Sequence, residues 1–382
     1  MKYPVSLAFL LLSFFVGTAQ KTIALSGLNP VTITLKNPGY LPYHPGFFSH
    51  FEVIDERSDT ARIGIHNFAP AMHALIGTRN RQLVFRQSAA LEIAGYLNSR
   101  FASSGASWSA LIVLRNLWLS DANYLREDRI KDPHVASERT HIRVKAEIYA
   151  FRDSFYVPIL RFDTVQSYKR NNPYTNLNTY YSLWDNDLSD LLSVMTDSAA
   201  GLTILRADHG RHLHLQDIEQ FNRSRFDVPI VSAAPLREGI YTNFQEFKDN
   251  NPSIRNYEVK QEKKDVLLYI KDANGASQYT HDAWGYCDGK SIFIMRDGKL
   301  YALWKEGNAF YFISKAYKET NNWYLGDDYK SDPLIPNPVT GTTDDPPPPD
   351  NAAPERKGVL GPKDQYSAER IYKVDMDSGK VY

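Results

Sequence analysis

Apolar and polar residues alternate with a period of two along much of this chain, and that period predicts strands. Four segments of the first half carry it: Val31–Leu35, Phe51–Arg57, Thr140–Phe151 and Phe155–Val165. A three-residue turn separates the last two segments, so we expect them to form one long hairpin. Ala110–Ser120 is apolar on nearly every position, which is typical of a central strand covered on both faces.

The first strand of the predicted hairpin shows the alternation most clearly. Its side chains fall into an apolar inner row and a polar outer row. The inner row is Ile142, Val144, Ala146 and Ile148, and the outer row is His141, Arg143, Lys145 and Glu147. We therefore expect the inner row to face a core.

Helical spacing appears between and after these strands. Ala90–Phe101 has apolar residues at steps of three and four and is followed closely by a Ser-Ser-Gly sequence that ends a helix. Leu188–Met195 and Leu215–Phe226 are predicted helices as well. This order of strands and helices predicts a mixed α/β sheet with helices on one face.

The second half is predicted to be an antiparallel meander. Three glycine-containing turns separate its strands: Asp288-Gly289, Asp297-Gly298 and Glu306-Gly307. Asp-Gly between alternating strands favours tight hairpins, because the turn residues must accept positive φ or nearly so. A short helix is expected within Gly239–Lys248, at the start of this half.

The C-terminal part has a different composition. Residues 331–365 are rich in proline and poor in large apolar side chains, so we expect an extended, flexible segment. Ile371–Asp375 and Lys380–Tyr382 then flank a Met-Asp-Ser-Gly turn, which predicts a terminal β-hairpin. Because two strands alone are marginally stable, this hairpin should dock on its own body or on a partner.

These elements together predict an α+β fold of two domains, as the length of 382 residues also favours. The predicted units are a signal peptide at 1–19, a mixed α/β sheet domain at 20–228, an antiparallel β-meander domain at 229–330, a Pro-rich segment at 331–365 and a β-hairpin at 366–382.

The first twenty residues indicate export. Lys2 precedes the apolar run Val5–Val16, and the small residues of Gly17–Ala19 mark a cut before Gln20. The run is too short to cross a bilayer, which needs about twenty residues. We therefore expect an exported protein, periplasmic or secreted, with no integral membrane segment after signal cleavage.

Composition narrows the chemistry further. The 44 basic and 44 acidic residues cancel, so we expect no nucleic-acid partner. Cys287 is the only cysteine, and Asp288 beside it opposes thiolate formation, so a structural thiol is expected. The chain has neither a P-loop nor a dinucleotide or serine-nucleophile motif, and no cofactor is predicted.

Two groups of polar residues are candidate sites. His209, His212 and His214 follow Asp208 closely and could bind a metal ion, although a solvated loop or helix start is the simpler explanation. Asp55 and Arg57 share one face of a predicted strand. With the strand arginines they could form an anion-binding pocket, or they could be ordinary ion pairs. These arginines are Arg115, Arg143 and Arg161.

Aromatic residues of the meander are the third candidate. Trp284, Tyr286 and Trp304 belong to a row of rings that could stack on sugar rings or on an extended peptide. The same rings could instead cover one face of the sheet. Tyr301, Tyr311, Trp323 and Tyr324 complete the row.

Two resemblances to known proteins accompany these patterns. Gly239–Lys248, with Asn251–Ser253 and Ala283–Lys290, is similar to segments of uncharacterised exported proteins of Gram-negative bacteria. The strand Val53–Arg57, the helix Ala90–Phe101 and the following hairpin resemble envelope lipoproteins of the ABC-transport-auxiliary type. The chain lacks the lipid-anchor cysteine of that group, and neither resemblance implies catalytic residues.

The leading hypothesis is a non-enzymatic envelope or secreted protein that binds another protein or an envelope glycan. Aromatic-rich sheets, a tethered strand pair and the lack of local catalytic signatures favour it. The alternative is a hydrolase of envelope glycans or peptides that uses separated carboxylates or the three histidines.

Overall fold

The fold is α+β, as the sequence predicts. The computed structural model describes residues 23–36, 46–67, 80–124, 137–171, 177–262, 265–296, 298–315 and 369–382. The predicted signal peptide, the Pro-rich segment and the aromatic residues Trp323 and Tyr324 lie outside these residues.

A seven-stranded mixed sheet forms the first half of the fold. Its strands are β1 (Pro30–Ile33), β2 (Phe48–Asp55), β3 (Gly64–His66), β4 (Arg81–Phe85), β5 (Trp108–Tyr124), β6 (Ser137–Arg152) and β7 (Phe155–Asn171). They lie in the order β1-β4-β3-β5-β6-β7, and β2 also pairs with β5. β2 and β3 run parallel to β5, whereas β6 is antiparallel to both β5 and β7. The predicted long hairpin is therefore confirmed as β6 and β7.

Two helices cover one face of this sheet, α1 (Ala89–Phe101) and α2 (Leu177–Arg206). α1 begins after Ser88, whose hydroxyl accepts a hydrogen bond from the N–H of Leu91. The inner row of β6 belongs to the same core as Leu97 and Trp184, which are fully buried. The prediction for the inner row is confirmed.

α2 is much longer than the helix predicted within it. Between Tyr181 and Arg206 it is long and apolar enough to cross a membrane, by length and composition only, and half of its most apolar window is buried inside the protein. Four buried hydroxyls bond to the carbonyl oxygen four residues earlier, which satisfies them within the core. They belong to Ser189, Ser193, Thr196 and Thr203.

The opposite face of the sheet is also covered, which differs from the prediction of helices on one face. α3 (Leu215–Ser224) packs Ile218 against Leu111 and Val113, which make that end of the face apolar. Beyond α3, polar side chains accompany Trp118, and His141 and Lys145 of the outer row are 2% and 5% exposed. The second half of the chain packs on this part of the face through contacts with Trp118 and Lys145.

The second half contains two short helices and nine strands among the residues described. The elements are α4 (Pro229–Ser232), β8 (Gly239–Tyr241), α5 (Phe244–Lys248), β9 (Tyr257–Glu262), β10 (Asp265–Lys271), β11 (Ser277–Thr280), β12 (Gly285–Cys287), β13 (Ile292–Arg296), β14 (Lys299–Glu306), β15 (Ala309–Lys315) and β16 (Glu369–Val374). The part predicted as one short helix, Gly239–Lys248, is a strand followed by a helix.

A six-stranded antiparallel sheet organises this half in the order β16-β15-β14-β13-β12-β8. Gly289, Gly298 and Gly307 have φ of 85°, 71° and 61°, so each predicted turn uses its glycine in the left-handed region. The predicted meander is confirmed. Its two faces bury separate groups of apolar side chains.

A three-stranded sheet, β9–β11, packs one face on the larger sheet. Leu268 and Ile270 of β10 meet Ile240, Met295 and Leu300 there. This arrangement leaves the other face of the small sheet outward.

The terminal hairpin docks on its own body. β16 pairs antiparallel with β15 and becomes an edge strand of the six-stranded sheet, and the chain then turns back to Tyr382. Tyr372, Val374 and Val381 join the core of that sheet. The body thus supplies the packing that an isolated pair of strands lacks.

The close approach of β3 to β5 gives a first prediction. A methyl group added at Gly64 would lie 2.1 Å from the carbonyl oxygen of Leu119, so Gly64→Ala should lower the free energy of unfolding by more than about 2 kcal/mol. Gly95→Ala, in α1 with open space around it, should raise it by about 0.5–1 kcal/mol. Urea unfolding of both variants measures the two changes, and effects of equal sign would contradict the packing described.

Candidate functional site

Asp55 and Arg57, at the end of β2, form a closed ion pair. Arg57 Nε lies 2.7 Å from Asp55 Oδ1, and Arg57 Nη2 lies 2.8 Å from Asp55 Oδ2. Arg57 Nη1 donates to the carbonyl oxygen of Arg62 at 2.8 Å, and Arg57 is only 3% exposed. The pair therefore fixes the segment after β2, and its charges face each other.

The arginines expected to line an anion pocket are divided among separate ion pairs. Arg115 Nη2 lies 2.6 Å from Glu147 Oε2, and Arg143 Nη2 lies 2.6 Å from Asp163 Oδ1. Burial lowers the pKa of Arg115. Arg161 is exposed to solvent. Charges on the covered face are thus matched by carboxylates.

A charged seam joins the seven-stranded sheet to the second half. Its members come from both parts and are buried or half-buried: Asp59, Arg62, Lys145, Arg225, Glu306, Lys373 and Asp377. Burying charged groups costs free energy unless each has a partner. The seam meets that condition through pairs that cross the boundary between the two parts.

Asp377, in the turn of the terminal hairpin, is the centre of one end of the seam. Its Oδ2 lies 2.7 Å from Lys145 Nζ, and its two oxygens accept from Arg225 Nη2 at 2.8 and 2.7 Å. Burial raises the pKa of the carboxyl group, but the two cations outweigh it and bring the pKa of Asp377 to about 2.

Asp59 is the centre of the other end. It accepts a hydrogen bond from the hydroxyl of Tyr311 and lies 3.2 Å from Arg62 Nη1. Arg62 Nη2 in turn lies 3.0 Å from Glu306 Oε2. Burial, and Asp59 beside it, raise the pKa of Tyr311 well above its ordinary value.

Lys373 is the most deeply buried cation of the seam. Its Nζ lies 4.4 Å from the centroid of the Trp118 ring, on the face of the seven-stranded sheet. Burial lowers the pKa of Lys373 to about 8, although Asp59 opposes that change. Perturbed groups often mark functional sites. Here, however, they face one another across a packed boundary, which indicates a structural role.

Two of the three histidines proposed as metal ligands pack on an aromatic ring instead. His209, His212 and His214 are exposed, and the rings of the last two lie 5.2 and 5.3 Å from that of Phe155. The N–H of His214 donates to Asp217 Oδ2 at the start of α3. Within the described ranges, no three His, Cys, Asp or Glu side chains are grouped to hold a metal ion.

The rings predicted to stack on a ligand pack inside the protein. Trp284 is 9% exposed and its ring lies 4.2 Å from that of Phe247 in α5. Tyr286 is 8% exposed and meets Tyr257 at 5.3 Å, and Trp304 is half-buried. They are covered because the six-stranded sheet is packed on both faces, by α5 on one and by β9–β11 on the other.

Cys287 lies beside these rings and is fully buried. Its Sγ accepts a hydrogen bond from the N–H of Gly289 at 3.3 Å. Burial raises the pKa of the thiol, which disfavours the thiolate that a nucleophile would require.

Rings reach the surface instead on the outward face of β9–β11 and just after β11, where Tyr269 is half-buried and Tyr279 and His281 are exposed. We call Tyr269, Tyr279 and His281 the tyrosine strip. The ring centroids of Tyr269 and Tyr279 are 5.8 Å apart, and those of Tyr279 and His281 are 6.0 Å apart with planes inclined by 26°. Tyr279 is 39% exposed. The strip is therefore a row of two exposed rings and one half-buried ring.

Charged and polar side chains border the strip on the same face. Lys260 Nζ lies 4.5 Å from the centroid of the Tyr269 ring. Glu258 Oε2 lies 3.7 Å from Lys260 Nζ and 3.9 Å from Lys271 Nζ, and it accepts a hydrogen bond from Ser277 Oγ at 3.2 Å. We call these bordering side chains the rim: Glu258, Lys260, Lys271 and Ser277. The rim thus contains hydrogen-bond donors and acceptors, and charges of both signs.

Two features of the fold fix the position of the strip. Leu268 and Ile270 alternate with Tyr269 along β10, so the packing of these apolar residues turns Tyr269 outward. The Tyr279 hydroxyl donates to the carbonyl oxygen of Gly298 at 3.1 Å. A methyl group at Gly298 would lie 2.7 Å from that hydroxyl, so the glycine of this turn also leaves room for the ring.

Sequence reasoning missed the strip. The signal in the sequence is the apolar run Val266–Ile270, which predicts a strand but does not show which of its side chains face outward. Tyr279 belongs to the four-residue strand β11, which is too short to show a period of its own.

No family model matches this chain, and no curated protein matches it. Among solved structures, the chain is similar to a protein of Xanthomonas campestris of the family DUF330, with 11% sequence identity and a TM-score of 0.28. The similarity covers 47% of this chain and 99% of that protein.

The ion pairs of Asp377 give a second prediction. Asp377→Asn leaves two buried cations without a carboxylate, so the free energy of unfolding at pH 7 should fall by about 3 kcal/mol. Because the folded pKa is depressed, the stabilisation is present above the ordinary pKa of about 3.9 and is lost as the pH falls towards about 2.

Urea unfolding at pH 7 and near pH 2 measures this difference. Asp153→Asn is the control, since Asp153 is 87% exposed and pairs loosely with Arg152. Its effect should stay within about 0.5 kcal/mol. A destabilisation by Asp377→Asn that is equal at both pH values would contradict the assigned ion pairs.

Proposed function

We propose that this protein is an exported, non-enzymatic binding protein and that its tyrosine strip binds a glycan of the bacterial envelope. The observation that carries the proposal is a row of three rings, two exposed and one half-buried, beside a sheet whose other face is anchored in a core. A rigid support of this kind holds a binding surface in place before the ligand arrives.

The rings suit a sugar chain. A tyrosine ring offers a large, flat apolar face with few rotatable bonds, and the C–H face of a sugar ring is apolar as well. The spacing of about 6 Å between neighbouring centroids allows successive sugars to meet successive rings. The hydrogen bond from the Tyr279 hydroxyl to the carbonyl oxygen of Gly298 fixes this ring before a ligand binds, and it therefore reduces the conformational entropy lost on binding.

The rim suits a polar, weakly charged ligand. Sugar hydroxyls donate and accept hydrogen bonds, and Glu258, Lys260 and Ser277 offer both capacities beside the rings. Positive and negative charges alternate there, so the surface does not select for a strongly charged polymer. This favours a glycan close to neutrality.

The charged seam supports binding rather than the alternative of hydrolysis. A glycoside hydrolase needs two carboxyl groups that face a substrate as acid and base. In the seam, Asp59 is bound to Arg62, and Asp377 is bound to Lys145 and Arg225. These carboxylates hold the protein together.

The strip gives a third prediction. Tyr269→Ala and Tyr279→Ala should each raise the Kd for tetra-N-acetylchitotetraose about tenfold, because a lost ring contact is worth about 1.4 kcal/mol. Isothermal titration calorimetry and co-sedimentation with purified peptidoglycan measure binding. Phe155→Ala is the matched control, since Phe155 is 38% exposed against 39% for Tyr279 and lies outside the strip.

Each of three outcomes would contradict a different part of the proposal. Failure of the natural chain to bind either glycan would overturn the ligand class. Equal binding by the tyrosine variants and the control would overturn the strip as the site. Release of new reducing ends from peptidoglycan would favour the hydrolase.

A further inference from the structure

The terminal hairpin, Glu369–Tyr382, is a unit with its own internal hydrogen bonds. Lys373 and Tyr382 exchange two backbone hydrogen bonds of 2.9 Å, and the N–H of Asp375 donates to the carbonyl oxygen of Lys380 at 2.8 Å. These bonds close the turn independently of the rest of the chain.

The seat of the hairpin is built by both halves of the protein. We define it as the edge of β15 together with Asn67, Trp118, Lys145 and Arg225. β15 pairs with β16 from Phe310 opposite Val374 to Lys315 opposite Glu369. Asn67 Oδ1 accepts from the N–H of Ile371 at 3.1 Å.

Complementary charges add specificity to the seat. Lys145 and Arg225 bind Asp377, while the Trp118 ring meets the ammonium group of Lys373. The apolar side chains of the hairpin are almost completely buried in the seat: Ile371, Val374 and Tyr382 are 3%, 0% and 3% exposed. The seat is thus a deep site for one particular strand and turn.

The hairpin reaches its seat through a long covalent connection. The 53 positions from 316 to 368 separate β15 from β16. Covalent geometry allows such a length to span up to about 180 Å. The hairpin and its seat therefore make the same contacts whether they belong to one chain or to two. The two cases differ only in the entropy cost of closing the connecting loop.

We propose that the seat also binds the terminal hairpin of a second copy of this chain, which gives a dimer with two exchanged hairpins. Reciprocal exchange fills both seats and closes at two copies. The competing hairpin of the same chain has an effective concentration on the order of millimolar. The exchanged dimer should therefore accumulate as the protein concentration approaches that value.

Cysteine pairs in the full chain test the exchange. Ser314 and Arg370 stand opposite each other in the ladder, so cysteines at these positions lie close enough for a disulfide bond. Chains with Ser314→Cys alone and Arg370→Cys alone are mixed at about 0.5 mM, a value near the effective concentration above, then diluted and oxidised. We expect covalent dimers on a non-reducing gel. The natural Cys287 is buried and should not interfere.

Two further samples make the test decisive. A chain with both substitutions should form the bond internally at low concentration, which checks the ladder. Arg370→Cys mixed with Ile204→Cys is the collision control, because Ile204 on α2 is 69% exposed. Ile313→Cys with Ile371→Cys, the neighbouring pair, replaces the first pair if a variant fails to fold.

The outcomes separate clearly. Dimers from the opposed pair that exceed the collision control support exchange. An internal bond in the doubly substituted chain without such dimers would overturn it, because each hairpin then stays on its own chain. Failure of the internal bond would overturn the seat itself. None of these readouts depends on glycan binding.

Discussion

Neutralisation of the polar face of the seven-stranded sheet is the constraint on which this protein depends. The sheet is buried on both sides, and its own Glu147 and Asp163 neutralise Arg115 and Arg143. Lys145 is buried on the same face, so the second half that packs there must bring a carboxylate for it. Asp377 does so from the terminal hairpin. The terminal hairpin thus contributes to both sheets. Asp377 pairs with Lys145 of the seven-stranded sheet, and β16 is a strand of the six-stranded sheet.

The same construction keeps the groups that stabilise the fold apart from the binding site proposed above. Paired charges and core rings hold the two halves together, whereas the rings of the tyrosine strip contribute little to the core. The three-stranded sheet packs on the body through its apolar face, which includes Leu268 and Ile270. An exchanged dimer would carry two strips, and two weak contacts with one repeating polymer reinforce each other through effective concentration.

The sequence predicts local structure better than it predicts partners between elements. Period-two alternation and glycine turns were enough for β6, β7 and the meander, because these patterns follow from backbone geometry. The same patterns do not distinguish a solvent-exposed face from one covered by a second layer. The burial of Lys145 was therefore not foreseen, and the inward packing of Trp284 was one of two alternatives left open. The predicted helix Leu188–Met195 ended before Thr196 and Thr203, whose hydroxyls bond to the helix backbone in α2. The strip depends on a contact between β11 and the turn at Gly298, which no local pattern encodes.

The burial of Lys373 has a consequence for alkaline conditions. Its ammonium group gives up a proton near pH 8 in the folded protein, whereas an ordinary lysine does so near pH 10.5. Between these values the unfolded chain holds the extra proton, so this side chain makes the native state more favourable as alkalinity increases. The cost of holding a cation against Trp118 is greatest at neutral pH. Loss of this proton when base is added therefore removes part of the free-energy cost of burying Lys373 in the terminal hairpin.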